Sequence, residues 1–94
     1  MTEEERELLV QEMRDEFQIP PYYDDMQLIT LAKEGEAMVG GLNPGQNIQN
    51  DLTYRMLVKN YMYYAMHHRV NEFMKNYSSV ILTWQMETEV DSNA

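Results

Sequence analysis

DLTYRMLVKNYMYYAMHHRVNEFMKNY, residues 51–77, is the stretch whose reading decides the fold. It contains no Gly or Pro and is rich in Leu, Met, Ala, Lys and Arg, which predicts one long helix. At about 1.5 Å per residue that helix would run roughly 40 Å, the dimension of a whole small domain. Two apolar stripes lie on its opposite sides. One carries Tyr54, Leu57, Val58, Tyr61 and Ala65. The other carries Leu52, Met56, Tyr63, Met66, Val70, Phe73, Met74 and Tyr77. A helix apolar on two sides has to be covered on two sides, by the rest of the chain or by a neighbouring copy. The longer stripe is expected to face the core of a small bundle. The shorter, Tyr-rich stripe suits either core or a subunit contact. Its abrupt end at Ala65 predicts that Tyr54, Leu57, Val58 and Tyr61 stay partly uncovered and meet a neighbouring subunit, with Arg55 and Lys59 beside them.

The segments before this stretch read as two shorter helices. Thr2 with Glu5 matches a capping box, and the acidic run Glu3–Glu5 suits the positive end of a helix dipole. A first helix over about 3–17 places Leu9, Val10, Met13 and Phe17 on one side and charge on the other. Pro20 and Pro21 end it. Pro20-Pro21-Tyr22-Tyr23 has the look of a WW-domain ligand, but between two helices of a compact domain it reads as a turn. Asp24 with Gln27 opens a second helix to about Val39, with Leu28, Leu31, Ala32, Gly35, Met38 and Val39 on one side. Gly40 and Gly41 are the expected terminators. Pro44-Gly45 carries the signature of a type II turn, and Asn50 or Asp51 caps the long helix.

Beyond Tyr77 the pattern is ambiguous. Val80, Leu82, Trp84 and Met86 alternate with Thr83, Gln85 and Glu87 as a strand would, while Ile81 and Trp84 equally suit a short helix. All-helical surroundings offer no partner strand, so a helix to about Met86 is the expectation, with Trp84 as its anchor. Residues 88–94 read as an acidic, disordered tail. The whole is a single all-α domain, residues 1–94, of three to four helices around one long central helix.

Composition narrows the function. Ninety-four residues suit one domain with a thin core, burying about 60–65% of the unfolded surface, and assembly with other chains would help it. With no cysteine there is no disulfide framework and no thiolate site. The acidic N-terminus and the lack of a long apolar run predict a soluble intracellular protein with no membrane partner. Seven basic residues against 16 acidic ones give a net charge of −9, which argues against gripping nucleic acid. Residues 51–77 hold Arg55, Lys59, Arg69 and Lys75 against Asp51 and Glu72, so the remainder of the chain sums to −11. A mildly basic centre surrounded by acidic segments is ordinary solvated charge, or else lets patches of opposite sign meet between subunits.

No catalytic or metal-binding constellation stands out, and no cofactor is expected. His67 and His68 point about 100° apart on a helix and cannot chelate one ion together. Glu72 stands four residues after His68, the spacing of an ion pair. Asp24-Asp25 is a helix start, and neither Gly40-Gly41 nor Pro44-Gly45 has the Lys and Ser/Thr of a phosphate loop. The chain is not expected to be an enzyme.

In two parts the sequence resembles the bacteriophage head–tail connector (head-completion adaptor) family. One is the short amphipathic helix followed by Asp24-Asp25, Leu28-Ile29 and Ala32. The other is the Tyr-rich stretch 51–77 running into ILTWQME. The resemblance covers residues 5–87 and is strongest over Phe73, Asn76, Tyr77, Ile81, Gln85 and Glu87. Met62 and Met66 depart from it, standing where a more polar or basic residue is expected. It implies an all-helical subunit of a ring, dodecameric in the virion, that docks beneath the portal protein and extends the DNA channel. Such a ring presents the surface for a downstream stopper or tail protein, and DNA passes through it without specific binding. The implied locations are the head–tail junction of the virion and, during assembly, the host cytoplasm. Glu87, Thr88, Glu89 and Val90 are the expected portal contacts. The competing reading is a small acidic helical regulator or inhibitor, with Glu3, Glu4, Glu5, Glu7, Glu12, Asp15 and Glu16 of the first helix facing its protein partner.

Overall fold

The structure, a computed structural model, describes residues 1–93, with side chains described through Thr88. Four helices follow in order, α1 (Glu3–Phe17), α2 (Asp25–Leu42), α3 (Leu52–Met66) and α4 (Val70–Asn93), and no strand occurs among the described residues.

α1 begins as its sequence requires. The Thr2 hydroxyl accepts the Glu5 amide at 3.1 Å, and the Glu5 carboxylate accepts the Thr2 amide at 2.8 Å. It ends at Gln18, which takes the left-handed conformation (φ 54°) and lets the Ile19 amide reach back to the Arg14 carbonyl. The prolines then form a turn, closed by the Tyr23 amide donating to the Pro20 carbonyl at 3.2 Å. The Arg14 guanidinium donates to the Tyr23 carbonyl, and Tyr23 is half-buried. A WW ligand needs an extended, accessible Pro-Pro-x-Tyr run, so the reading as a turn is the one that fits.

α2 starts with the Asp24 carboxylate accepting the Gln27 amide at 2.8 Å. It passes through Gly40 and Gly41, the expected terminators, and runs to Leu42. Gly40 instead serves close packing, since a Cβ there would sit 3.1 Å from the Tyr54 hydroxyl. Gly35 has a similar place, where a Cβ would come within 3.2 Å of both Tyr61 and Val58. The two glycines let α2 lie tightly against α3, running in the opposite direction. Gly45, at φ 90°, occupies the turn position that requires positive φ.

The single helix expected over 51–77 is in fact two. α3 stops at Met66, and His68 adopts the left-handed conformation at φ 57°. The His68 amide donates to the Ala65 carbonyl and the Arg69 amide to the Tyr64 carbonyl, at 3.1 and 2.8 Å. That pair of bonds is a Schellman closure, built without glycine. The Glu72 and Phe73 amides then donate to the Arg69 carbonyl, starting α4. The physical gain from the break is burial. α4 turns back along α3, so Phe73 meets Tyr61 and Tyr64, Tyr77 meets Tyr64, and Trp84 stacks on Tyr54. A continuous helix would carry Phe73, Tyr77 and Trp84 past the end of the domain into water, losing roughly 1.5–3 kcal/mol for each large side chain.

α3 is therefore the helix against which α1, α2 and α4 all pack. α4 is the longest, and it continues through the segment where strand alternation competed with helix. Phe73, Ile81 and Trp84 are buried along it while Val80, Leu82 and Met86 are exposed, a helical period rather than an alternating one. Its backbone is helical through Asn93, where the sequence reads a disordered tail from residue 88; Ala94 lies outside the described residues.

Candidate functional site

The residues expected to form a subunit contact sit inside the chain. Tyr54 and Tyr61 are 4% and 8% exposed, and Leu57 and Val58 are fully buried. The expectation that this stripe stays partly uncovered is thereby corrected. α2 covers it through Gly35 and Gly40, and α4 covers its ends with Phe73 and Trp84. The opposite stripe, expected to be core, is the looser one: Met56, Tyr63 and Met66 are half-buried and Leu52 is 74% exposed.

Arg55 and Lys59 are likewise engaged within the chain. Arg55 makes a forked contact with Glu12, its Nε 2.9 Å from one carboxylate oxygen. The Lys59 ammonium lies 2.7 Å from Glu12 and 2.5 Å from Glu16. Hydrogen bonding from Arg55 lowers the Glu12 pKa against the opposing effect of burial, and Lys59 adds to the lowering. For Lys59, burial disfavours the charge, but the bonds to Glu12 and Glu16 outweigh it and raise the pKa. Two basic residues expected to face a neighbour instead clamp α1 to α3.

Of the expected portal contacts, Glu87 is exposed. The Thr88 hydroxyl accepts from the Asn43 amide at 3.1 Å and donates to the Trp84 carbonyl at 2.9 Å. The side chains of Glu89 and Val90 lie outside the described residues. His67 and His68 are exposed at the α3–α4 corner, and the break puts Glu72 beside Arg69, at 3.8 Å, rather than in the ion pair expected with His68.

That corner forms a groove of about 630 Å³ that the sequence reading missed, because it exists only once the long helix is broken. Phe17 stacks on Tyr63 with ring centroids 4.6 Å apart, and His67 meets Tyr63 edge-on at 4.8 Å. Four of its lining side chains pair with one another: Asn76 donates to the Tyr64 hydroxyl at 3.1 Å, and the Tyr77 hydroxyl donates to Asn60 at 3.0 Å. Stacking surface is present, but no nucleophile is paired with a base. Among the described residues, no group of three His, Asp or Glu side chains is placed to hold a metal ion. No described helix is long and apolar enough to cross a membrane. No protein-family model matches this chain, and comparison with curated proteins and with solved structures finds no match for it.

Proposed function

We propose that the chain is a non-catalytic structural subunit of a phage head–tail connector ring. Such a ring docks beneath the portal, extends the DNA channel and offers the attachment surface for a stopper or tail protein. The proposal rests on the sequence resemblance over Asp51–Glu87. The observation that carries it furthest is the one-sided packing of α4 within that stretch. Ile81 and Trp84 are buried against the body, whereas Leu82 and Met86, on the far side of the same helix, are each 57% exposed. An edge helix with apolar residues on its outer face supplies what a neighbouring subunit needs, now that the Tyr54–Tyr61 stripe is used internally. Glu87 and Thr88, with Glu89 and Val90 beyond them, lie in the C-terminal part of α4 and are assigned to the portal. A net charge of −9 suits a wall past which DNA moves without being held.

The second reading, an acidic regulator of a protein partner, is favoured by one observation: Glu3, Glu4, Glu7, Asp15 and Glu16 are all exposed on α1. Size-exclusion chromatography with light scattering separates the two. A connector subunit mixed with a candidate portal ring elutes with it, in equal copy number. A regulator stays a monomer or dimer and leaves the portal unchanged.

A further inference from the structure

α1 and α2 lie side by side and antiparallel, as the Arg6–Glu36 and Arg14–Asp25 ion pairs at their two ends require. Between them, on the side turned away from α3, is a groove of about 600 Å³. Val10 forms its floor, buried, and half-buried Ile29 forms part of the α2 wall. Leu8 stands on the α1 wall with 66% of its surface exposed, and Met26, in the turn of α2 that supplies Asp25 and Ile29, is 72% exposed. Exposed apolar side chains beside a concave apolar floor mark a contact surface more often than chance placement does.

Charge identifies the occupant. Glu4 and Glu7 line the groove, and neither has an ion-pair partner among the described residues. Most of the chain's cations are committed: Arg6 to Glu36, Arg55 and Lys59 to the Glu12–Glu16 cluster, Arg69 to Glu72, and Arg14 to Asp25, which lines this groove and is balanced there, leaving Glu4 and Glu7 as its unpaired charges. Lys33, a turn beyond Ile29 on α2, is the nearest uncommitted cation in sequence. The rim is thus acidic over an apolar floor, on a chain that is acidic overall. We propose that this groove docks a basic amphipathic helix of another protein, apolar side chains down between Leu8 and Ile29 and Lys or Arg side chains over Glu4 and Glu7. The site does not depend on the connector reading. Anionic lipid and nucleic acid are disfavoured by the same rim.

The test uses the full chain and a fluorescent synthetic peptide of Leu and Lys, about five helical turns long, arranged to be amphipathic. A second peptide has the same composition in an order that gives no apolar face. The expected result is binding of the amphipathic peptide alone, weakened by added salt and weakened about tenfold by Leu8→Ser, the loss of one buried leucine contact. Leu82→Ser, on the outer face of α4, is expected to leave binding unchanged. Because Leu8 is exposed, its replacement leaves the core intact, which an unaltered thermal unfolding curve checks. Equal binding of the two peptides, or equal binding by wild type and Leu8→Ser, overturns the proposal. So does a wild-type dimer in light scattering that Leu8→Ser dissociates, since the groove would then belong to a second copy.

Discussion

One oxygen of the Asp51 carboxylate accepts the Tyr54 amide at 3.0 Å, and the other accepts the Trp84 indole N–H at 2.7 Å. A single side chain thereby starts α3 and fixes α4 against it, with Trp84 stacked on Tyr54 at 5.9 Å. Asp51→Ala removes both the cap and the indole's acceptor, and a loss of about 1–3 kcal/mol in urea unfolding is expected. Asp51→Asn keeps only one acceptor oxygen, which can serve the Tyr54 amide or the Trp84 indole but not both, so it should lose less than Asp51→Ala without matching the wild type. The glycines give a paired prediction. Gly41 is within α2 with nothing near its missing Cβ, so Gly41→Ala should stabilise the chain by up to about 1 kcal/mol. Gly35→Ala gains the same propensity but pushes on Tyr61 and Val58, so no net gain is expected in the same unfolding experiment. The sequence marked Asp51 as a cap candidate and placed Gly35 on the apolar side of its helix. It did not reveal the indole bond, because the pairing of residues 51 and 84 depends on where the chain turns back.

At the scale of the element, α1 was legible to its last residue because both ends carry local signals: the Thr2–Glu5 box and the prolines. The α3–α4 break was not, because no residue in MHHRV excludes a helix. The left-handed turn at His68 is a tertiary choice, driven by what Phe73, Tyr77 and Trp84 reach when α4 folds back; histidine merely tolerates that backbone better than most residues. His68→Gly should therefore stabilise the chain by about 1 kcal/mol, by relieving the left-handed side chain, as read by thermal or urea unfolding. His68→Val should destabilise it, since a β-branched residue resists that conformation. The clamp between α1 and α3 has its own pH signature. The folded-state pKa of Glu12 lies below its ordinary value of 4.5, so its contribution is complete above that pH and fades as pH falls through the lower, folded value. The folded-state pKa of Lys59 lies above 10.5, so its contribution is complete below that pH and is lost as pH rises past it. Urea midpoints should be flat near neutrality and fall on the acid side, and Glu12→Gln should reduce the acid-side slope. An unchanged slope would mean the cluster adds nothing to stability.

At the scale of the molecule, the sequence conveyed an all-helical domain but assigned the faces of its central segment the wrong way round. Both stripes of residues 51–66 are apolar, and periodicity alone gives no preference between them. The decision is made by Gly35 and Gly40, which let α2 approach only the Tyr54–Tyr61 side. Oligomeric contacts, if the connector proposal holds, then fall to the outer face of α4. Leu82→Glu should block ring assembly while leaving helicity and melting temperature nearly unchanged, because Leu82 is exposed in the single chain. Tyr61→Glu, at a buried position, should instead unfold it. The most direct measurement is electron microscopy of the chain mixed with a candidate portal, with averaged side views compared against portal alone. The proposal predicts an added ring of density beneath the portal, coaxial with its channel, that is absent with Leu82→Glu. Side views identical to portal alone, or added density that persists unchanged with Leu82→Glu, would contradict it.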